Sequence, residues 1–122
     1  MAQWSSAAEM NAQADNRAGR MVQVSFHSGD PGSAGASETA IPRESLTWAA
    51  AGAAGAHPRQ VALDGRSWHQ MLAVDVPDGV TVTHIAYRGS GGEVRQSREI
   101  PQVTGPLVGW PVSFPIVTTG TL

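Results

Sequence analysis

The chain contains no cysteine, which excludes disulfide staples and thiolate metal sites. It contains no lysine either, so all eight basic residues are Arg. A GC-rich coding sequence accounts for that bias, and its physical effect is that every cation carries a planar donor fork suited to protein interfaces. Charge of either sign is scarce: Asp, Glu and Arg make up 15% of the residues, against roughly 25% in an average soluble domain. A weakly charged surface repels other protein weakly, which suits assembly. The net charge of −2 offers no cationic cluster for phosphate, so no nucleic-acid partner is expected. No apolar run approaches the roughly 20 residues needed to span a bilayer. The stretch from Met1 to Met21 also lacks the basic start and apolar run of an export signal. No membrane association and synthesis as a cytoplasmic product are the expectations.

What is present fits one domain. A chain of 122 residues buries about two-thirds of the surface it exposes when unfolded, so its core is modest and contacts with neighbouring subunits would add to it. Residues 1–20 read as a helical segment and residues 21–122 as a β-domain. Ser6-Ala7-Ala8-Glu9 has the spacing of a capping box. Ala-rich sequence follows to Ala18, and Gly19 supplies a stop. The apolar residues of that helix are mostly Ala, so it is weakly amphipathic and marginal alone. It is expected to dock on its own sheet or on another subunit, and it is a candidate anchor.

From Met21 the period changes to alternation. Val22, Val24 and Phe26 point one way and Gln23, Ser25 and His27 the other, which predicts a half-buried strand. Residues 28–37 are a loop by composition, with Asp30-Pro31-Gly32 fitting a tight turn. Further extended runs are expected over Glu44 to Ala50, Arg59 to Asp64, Trp68 to Val76, Val80 to Arg88 and Glu93 to Ile100. Pro77-Asp78-Gly79 and Gly89-Ser90-Gly91-Gly92 serve as turns. The three prolines at 106, 111 and 115 confine the last third to edge or bulged strand. About seven short strands divided by Gly and Pro turns predict a mainly β fold, an antiparallel β-sandwich or jelly-roll-like domain with one N-terminal α-helix.

Catalytic and metal chemistry find no constellation. His27, His57, His69 and His84 have no HxH or HExxH spacing. The glycines around Gly52 and Gly91 lack the ending of a phosphate loop, and Gly89-Ser90-Gly91 lacks the spacing of a nucleophile elbow. Asp75 and Asp78 flank a turn, which explains Asp78 better than a paired-carboxylate role. Tyr87 and Arg88 end a strand, where packing and contact are both open. No catalytic residue, metal or cofactor is expected, and the chain reads as a non-enzyme. The four tryptophans carry more weight: Trp48 reads as core, whereas Trp4 and Trp110 lie outside clean alternation and are candidate anchors in a partner's pocket. With the helix residues Ala8, Met10 and Ala12 they form the candidate partner-binding set.

Several stretches together carry a resemblance. Residues 24–32, Val24-Ser25-Phe26-His27-Ser28-Gly29-Asp30-Pro31-Gly32, resemble the LHTGDPG-type strand-and-turn signature of small phage tail-fibre-like or minor tail proteins of actinobacteriophages, with Gly29, Asp30, Pro31 and Gly32 as its turn. Residues 33–38, 42–50, 74–86, 112–114 and 119–122 are similar to the family's later elements in the same order, and Trp4 to Ala12 resembles its opening helix. Two departures stand out: Thr39-Ala40-Ile41-Pro42 shortens a Gly-rich lead-in, and Gly109-Trp110-Pro111 replaces a polar turn. The resemblance implies a virion structural protein made in the host cytoplasm, a minor tail or fibre-like subunit touching other virion proteins in a homo-oligomer, with a trimer favoured. A capsid decoration or head-fibre protein needs the same parts. A host-surface carbohydrate-binding module is the reading from another class, with Trp68, Tyr87 and Trp110 as a sugar-stacking platform.

Overall fold

The computed structural model describes residues 5–118. They form a helix, α1 (Ala7–Gly19), followed by strands β1 (Gln23–His27), β2 (Glu44–Ser45), β3 (Arg66–Trp68), β4 (Leu72–Val76), β5 (Thr81–Arg88), β6 (Val94–Thr104), β7 (Leu107–Val112) and β8 (Pro115–Val117). All pairings are antiparallel: one sheet in the order β2-β1-β5-β6, one ladder of β3 with β8 and one of β4 with β7. The mainly β class with an N-terminal helix is therefore as the alternation predicts. The chain divides into two compact units, one made of the helix, Thr47–Met71 and the stretch from Ser113, the other of Arg20–Leu46 and Leu72–Val112.

In the first unit the helix is started by Ser6, whose hydroxyl accepts the Glu9 amide at 3.2 Å. The Glu9 carboxylate takes the Gln13 amide one turn on, at 3.0 Å. Glu9 in the first turn and Arg17 in the last complement the helix dipole. The inward face is Ala14 and Ala18, both buried, and polar side chains beside them supply the rest of the hold. Asn11 accepts the Gly65 amide at 2.7 Å and donates to Asp64 at 3.1 Å. Asp15 accepts the Ala51 amide at 2.8 Å, and Arg17 donates to the Val117 carbonyl at 3.1 Å. Gly65 has φ +76°, and a Cβ there would strike the Thr118 carbonyl and lie 3.3 Å from Met10 Cβ. Small residues thus set the depth of helix seating, and hydrogen bonds compensate for the little apolar area that alanine buries. The helix docks on its own chain, against β3 and β8, strands that the boundary drawn after residue 20 on sequence assigns to the β-domain.

The second unit holds most of the apolar core: Val24, Phe26, Val74, Val76, Val82, Ile85, Tyr87 and Val112 are all buried. At about 1.5–3 kcal/mol for each large aliphatic or aromatic side chain fully buried, this cluster is the main source of the unit's stability. Register puts Val24 opposite Tyr87 and Phe26 opposite Ile85, so one face of the central β1–β5 pair is apolar. Phe26 meets Trp110 of β7 edge to face, with ring centroids 5.9 Å apart. The opposite face carries Ser25, His27 and Arg88, and these are buried as well. The half-buried strand predicted for β1 is corrected here: residues 28–43 lie over its polar face and close it from water.

Other expected elements shift. The run Glu44 to Ala50 pairs only at Glu44–Ser45 and through a single bridge of Trp48 with His69. Arg59 to Asp64 forms no strand, and Trp68 to Val76 divides into β3 and β4 around residues 69–71. β6 runs to Thr104, beyond the expected end at Ile100, and a register shift between Val82 and His84 accommodates Pro101.

Candidate functional site

A buried cluster of polar side chains lies on one face of β1 and β5. Ser25 Oγ is 2.7 Å from His27 Nε2, and His27 Nδ1 is 2.7 Å from the Ala36 carbonyl. A carbonyl oxygen only accepts, so Nδ1 carries the proton, Nε2 is the acceptor and the Ser25 hydroxyl donates to it. Arg88 Nε donates to the same Ser25 oxygen at 2.8 Å. The remaining Arg88 donors reach the Gly92 carbonyl at 2.8 Å and Glu38 Oε1 at 3.2 Å. Arg43 grips the Glu38 carboxylate with two bonds of 2.9 Å each.

Alternation creates this cluster. Ser25 and His27 are two apart on β1, and β5 runs antiparallel beside them so that Arg88 ends next to Ser25. The loop then supplies Ala36 and Glu38. Its turn is made by the signature residues: Asp30 accepts the Gly32 amide at 3.0 Å, Pro31 is fully buried, and the Pro31 carbonyl accepts the Ala36 amide at 2.7 Å. Gly32 and Gly35 have φ of 56° and 72°, values that L side chains rarely adopt. Gly29 sits against the Ser37 side chain, where a Cβ would lie 3.5 Å from its hydroxyl. The Gly-Asp-Pro-Gly stretch therefore closes a loop whose far side caps the polar face of the sheet.

Serine and histidine in contact are also the parts of an activated nucleophile. Here the hydroxyl accepts from a guanidinium, and both residues have 0% exposure, so no substrate atom reaches the oxygen in this arrangement. Burial pushes the His27 ring below the usual imidazole range, against the upward pull of the Ala36 carbonyl and Glu38. Glu38 is held below the usual carboxylate range chiefly by its hydrogen bonds from Arg43. The chemistry available to the cluster is the holding of a loop.

A second buried histidine does related work in the other unit. His69 Nδ1 lies 2.7 Å from the Gln70 carbonyl, and its Nε2 accepts the Phe114 amide at 2.9 Å. The Trp48 ring stands edge-on to it at 5.3 Å, and burial again lowers the ring's affinity for a proton. Trp48 is thus half-buried against His69 in a bridge, where the sequence predicted a mid-strand core position. Among the described residues no three His, Asp or Glu side chains gather as metal ligands, and no helix is long and apolar enough to cross a membrane.

No family model, curated protein or solved structure matches the chain.

The candidate partner-binding residues differ in their surroundings. Ala8 and Ala12 are exposed on α1, and Met10 is half-buried beside Gly65. Trp4 lies outside the described residues. Trp110 is half-buried on β7 against Phe26. Its neighbours Leu107 and Val108 stand in solvent, Val108 at 85% exposure, and the Gly109 amide donates to Asp75 at 2.9 Å. Asp75, read on sequence only as flanking a turn, thus fixes the bend that exposes Val108. The sugar-stacking platform is not formed: Tyr87 is fully buried, and Trp68 is buried with its indole N–H on the Val61 carbonyl and the Arg66 guanidinium over its ring. Sequence reasoning missed Arg88 as the centre of the polar cluster. The signal was its place at the end of an apolar run, on the face that alternation assigns to Ser25 and His27.

Proposed function

We propose that this chain is a virion structural protein of a tailed phage, a minor tail or fibre-like subunit that works through contacts with other virion proteins and with copies of itself. The observation that carries the reading is where the two kinds of side chain lie. The nucleophile, imidazole and guanidinium of Ser25, His27 and Arg88 are sealed inside, whereas aliphatic side chains of Leu107, Val108, Val61 and Leu63 stand in water. Polar groups spent on holding loops and apolar groups left outside suit a protein whose output is contact area. Low charge points the same way, and so does the ordered set of motifs resembling small tail proteins.

The direct test is an antibody against the folded chain applied to intact particles of the virus that encodes it. Labelling at the tail with a few copies per particle is expected. Hundreds of copies on the head would move the assignment to capsid decoration, and absence from purified particles would end it. Light scattering of the isolated protein is expected to give a trimer.

A further inference from the structure

We propose that His27 is an acid-triggered latch, whose protonation releases the loop of residues 28–37 from the sheet beneath it. The inference does not depend on the virion reading, because it rests on the geometry around one ring.

The latch has a fixed direction of hydrogen bonds. The Ala36 carbonyl takes the Nδ1 proton, Nε2 takes the Ser25 hydroxyl proton, and Ser25 Oγ takes the Arg88 Nε proton. Each buried donor has its acceptor only while Nε2 is bare. A second proton on the ring turns Nε2 into a donor facing the Ser25 oxygen, which then accepts from two cations while its own hydroxyl hydrogen loses its acceptor. The charge created has no water around it, since the ring is fully buried. The groups around it are mixed. Arg88 from β5 and Arg43 from the stretch before β2 repel the new charge, and Glu38, just past the loop's end, attracts it but is already held by both arginines. His84 of β5 sits directly across the strand pair, with its own Nδ1 2.8 Å from the Thr83 hydroxyl.

The cheapest relief is to let water reach the ring, and the removable cover is the loop. Its base is tied at the Ser28 amide to the Ser37 carbonyl and at the Thr39 amide to the Phe26 carbonyl. Further in it is tied by His27 itself at the Ala36 carbonyl, while Glu38, bridged to His27 just past the loop's end, pairs with Arg88. The β1–β5 and β5–β6 ladders do not pass through the loop, so the sheet keeps its backbone bonds when the cover lifts.

The experiment is hydrogen exchange on the full chain by NMR from pH 8 to pH 5, with the His27 ring signals followed in the same samples. Protection factors, corrected for the intrinsic pH dependence of exchange, are expected to fall for the Ser28 and Thr39 amides as the pH drops below the free imidazole value, and to level off once the His27 ring is protonated. The fall should be about tenfold for each pH unit below the ring's free value, while amides in the β5–β6 ladder hold their protection. In His27→Gln, which keeps a donor for Ala36 and cannot titrate in this range, loop protection is expected to stay flat. Loop protection that is unchanged in the wild type while the ring titrates overturns the proposal. So does a fall of the same size over the same pH range in His27→Gln, which would assign it to another group. Should that variant fail to fold, the wild-type profile decides alone: a fall that starts below the free imidazole value and levels off as the ring becomes protonated supports the latch, and a fall that continues unchanged after the ring is protonated rejects it.

Discussion

Gly35 lies against the Arg88 guanidinium so closely that a Cβ on it would sit 2.6 Å from Nη2. The two residues come from a surface loop and the end of a central strand, and their approach is what allows the loop to seat on the polar face of the sheet. Gly35 also has φ +72°, so an alanine there meets both a backbone penalty and a collision. Gly32, three residues earlier, has φ +56° with nothing within 4 Å. Gly32→Ala is expected to cost about 1–2 kcal/mol from its backbone alone, and Gly35→Ala distinctly more. Equal shifts of the denaturation midpoint for the two variants would show that the guanidinium is not pinned.

Arg88 holds three separate acceptors from a buried position. Arg88→Met keeps the length and apolar stem but leaves Ser25, the Gly92 carbonyl and one side of Glu38 without their donor. A loss on the order of 3–5 kcal/mol is expected, measured by urea unfolding. Arg43→Met removes the partner of the same carboxylate from an exposed site and should change the midpoint little. Reversal of that ranking would place the weight of the cluster on its outer ion pair.

Stability should depend on pH in a stated direction. His27 and His69 both bind protons less readily in the folded chain than the ordinary imidazole value of 6.5. The unfolded chain therefore takes up protons first as the pH falls through that value, and folding stability declines from there downward, to be regained on returning to pH 7.5. The depressed Glu38 and Glu93 carboxyls add a further decline at lower pH, as the unfolded chain protonates ahead of them. Unfolding midpoints at pH 7.5, 6.5 and 5.5 test the first part. Identical values at all three would contradict burial of the two rings.

On α1, Ala8 and Ala12 are exposed while Ala14 and Ala18 are buried. Ala8→Glu and Ala12→Glu should leave the unfolding midpoint within about 0.5 kcal/mol of wild type. Ala14→Glu should abolish helix docking, seen as a lost far-ultraviolet helical signal. If the virion reading holds, the first two variants and Val108→Asp would fold normally yet lower oligomer formation in light scattering. Undiminished oligomers in all three would remove these residues from the contact surface.

The helix was legible because its signals are local: a serine cap, an alanine run and a glycine stop all lie within 14 residues. The hairpin of β5 and β6 was legible for the same reason, with β-prone residues on either side of Gly89-Ser90-Gly91-Gly92. What β1 hides on its second face was not. Alternation reports two faces but not what covers each, and Ser25 and His27 read as a solvent face until Glu38 and Arg88 are brought to them from 13 and 63 residues away from Ser25. Arg59 to Asp64 forms no strand because its own backbone is engaged locally: the Gln60 amide turns back on the His57 carbonyl, and the Val61 carbonyl accepts the Trp68 indole N–H. Trp68 to Val76 failed as one strand because the Gln70 amide is taken by the Thr47 carbonyl just where the chain leaves one compact unit for the other.

The interleaving of those two units has a consequence for how the chain can be built. All the partners of the four-stranded sheet and of the β4–β7 ladder exist once Val112 has been synthesised. Strand β3, made near residue 66, must wait for residues 115–117 before its ladder can close, and His69 waits equally long for Phe114. A ribosome therefore emits one finished half and one open half. Loss of residues from Ser113 onward falls entirely on the unit that includes the leading helix.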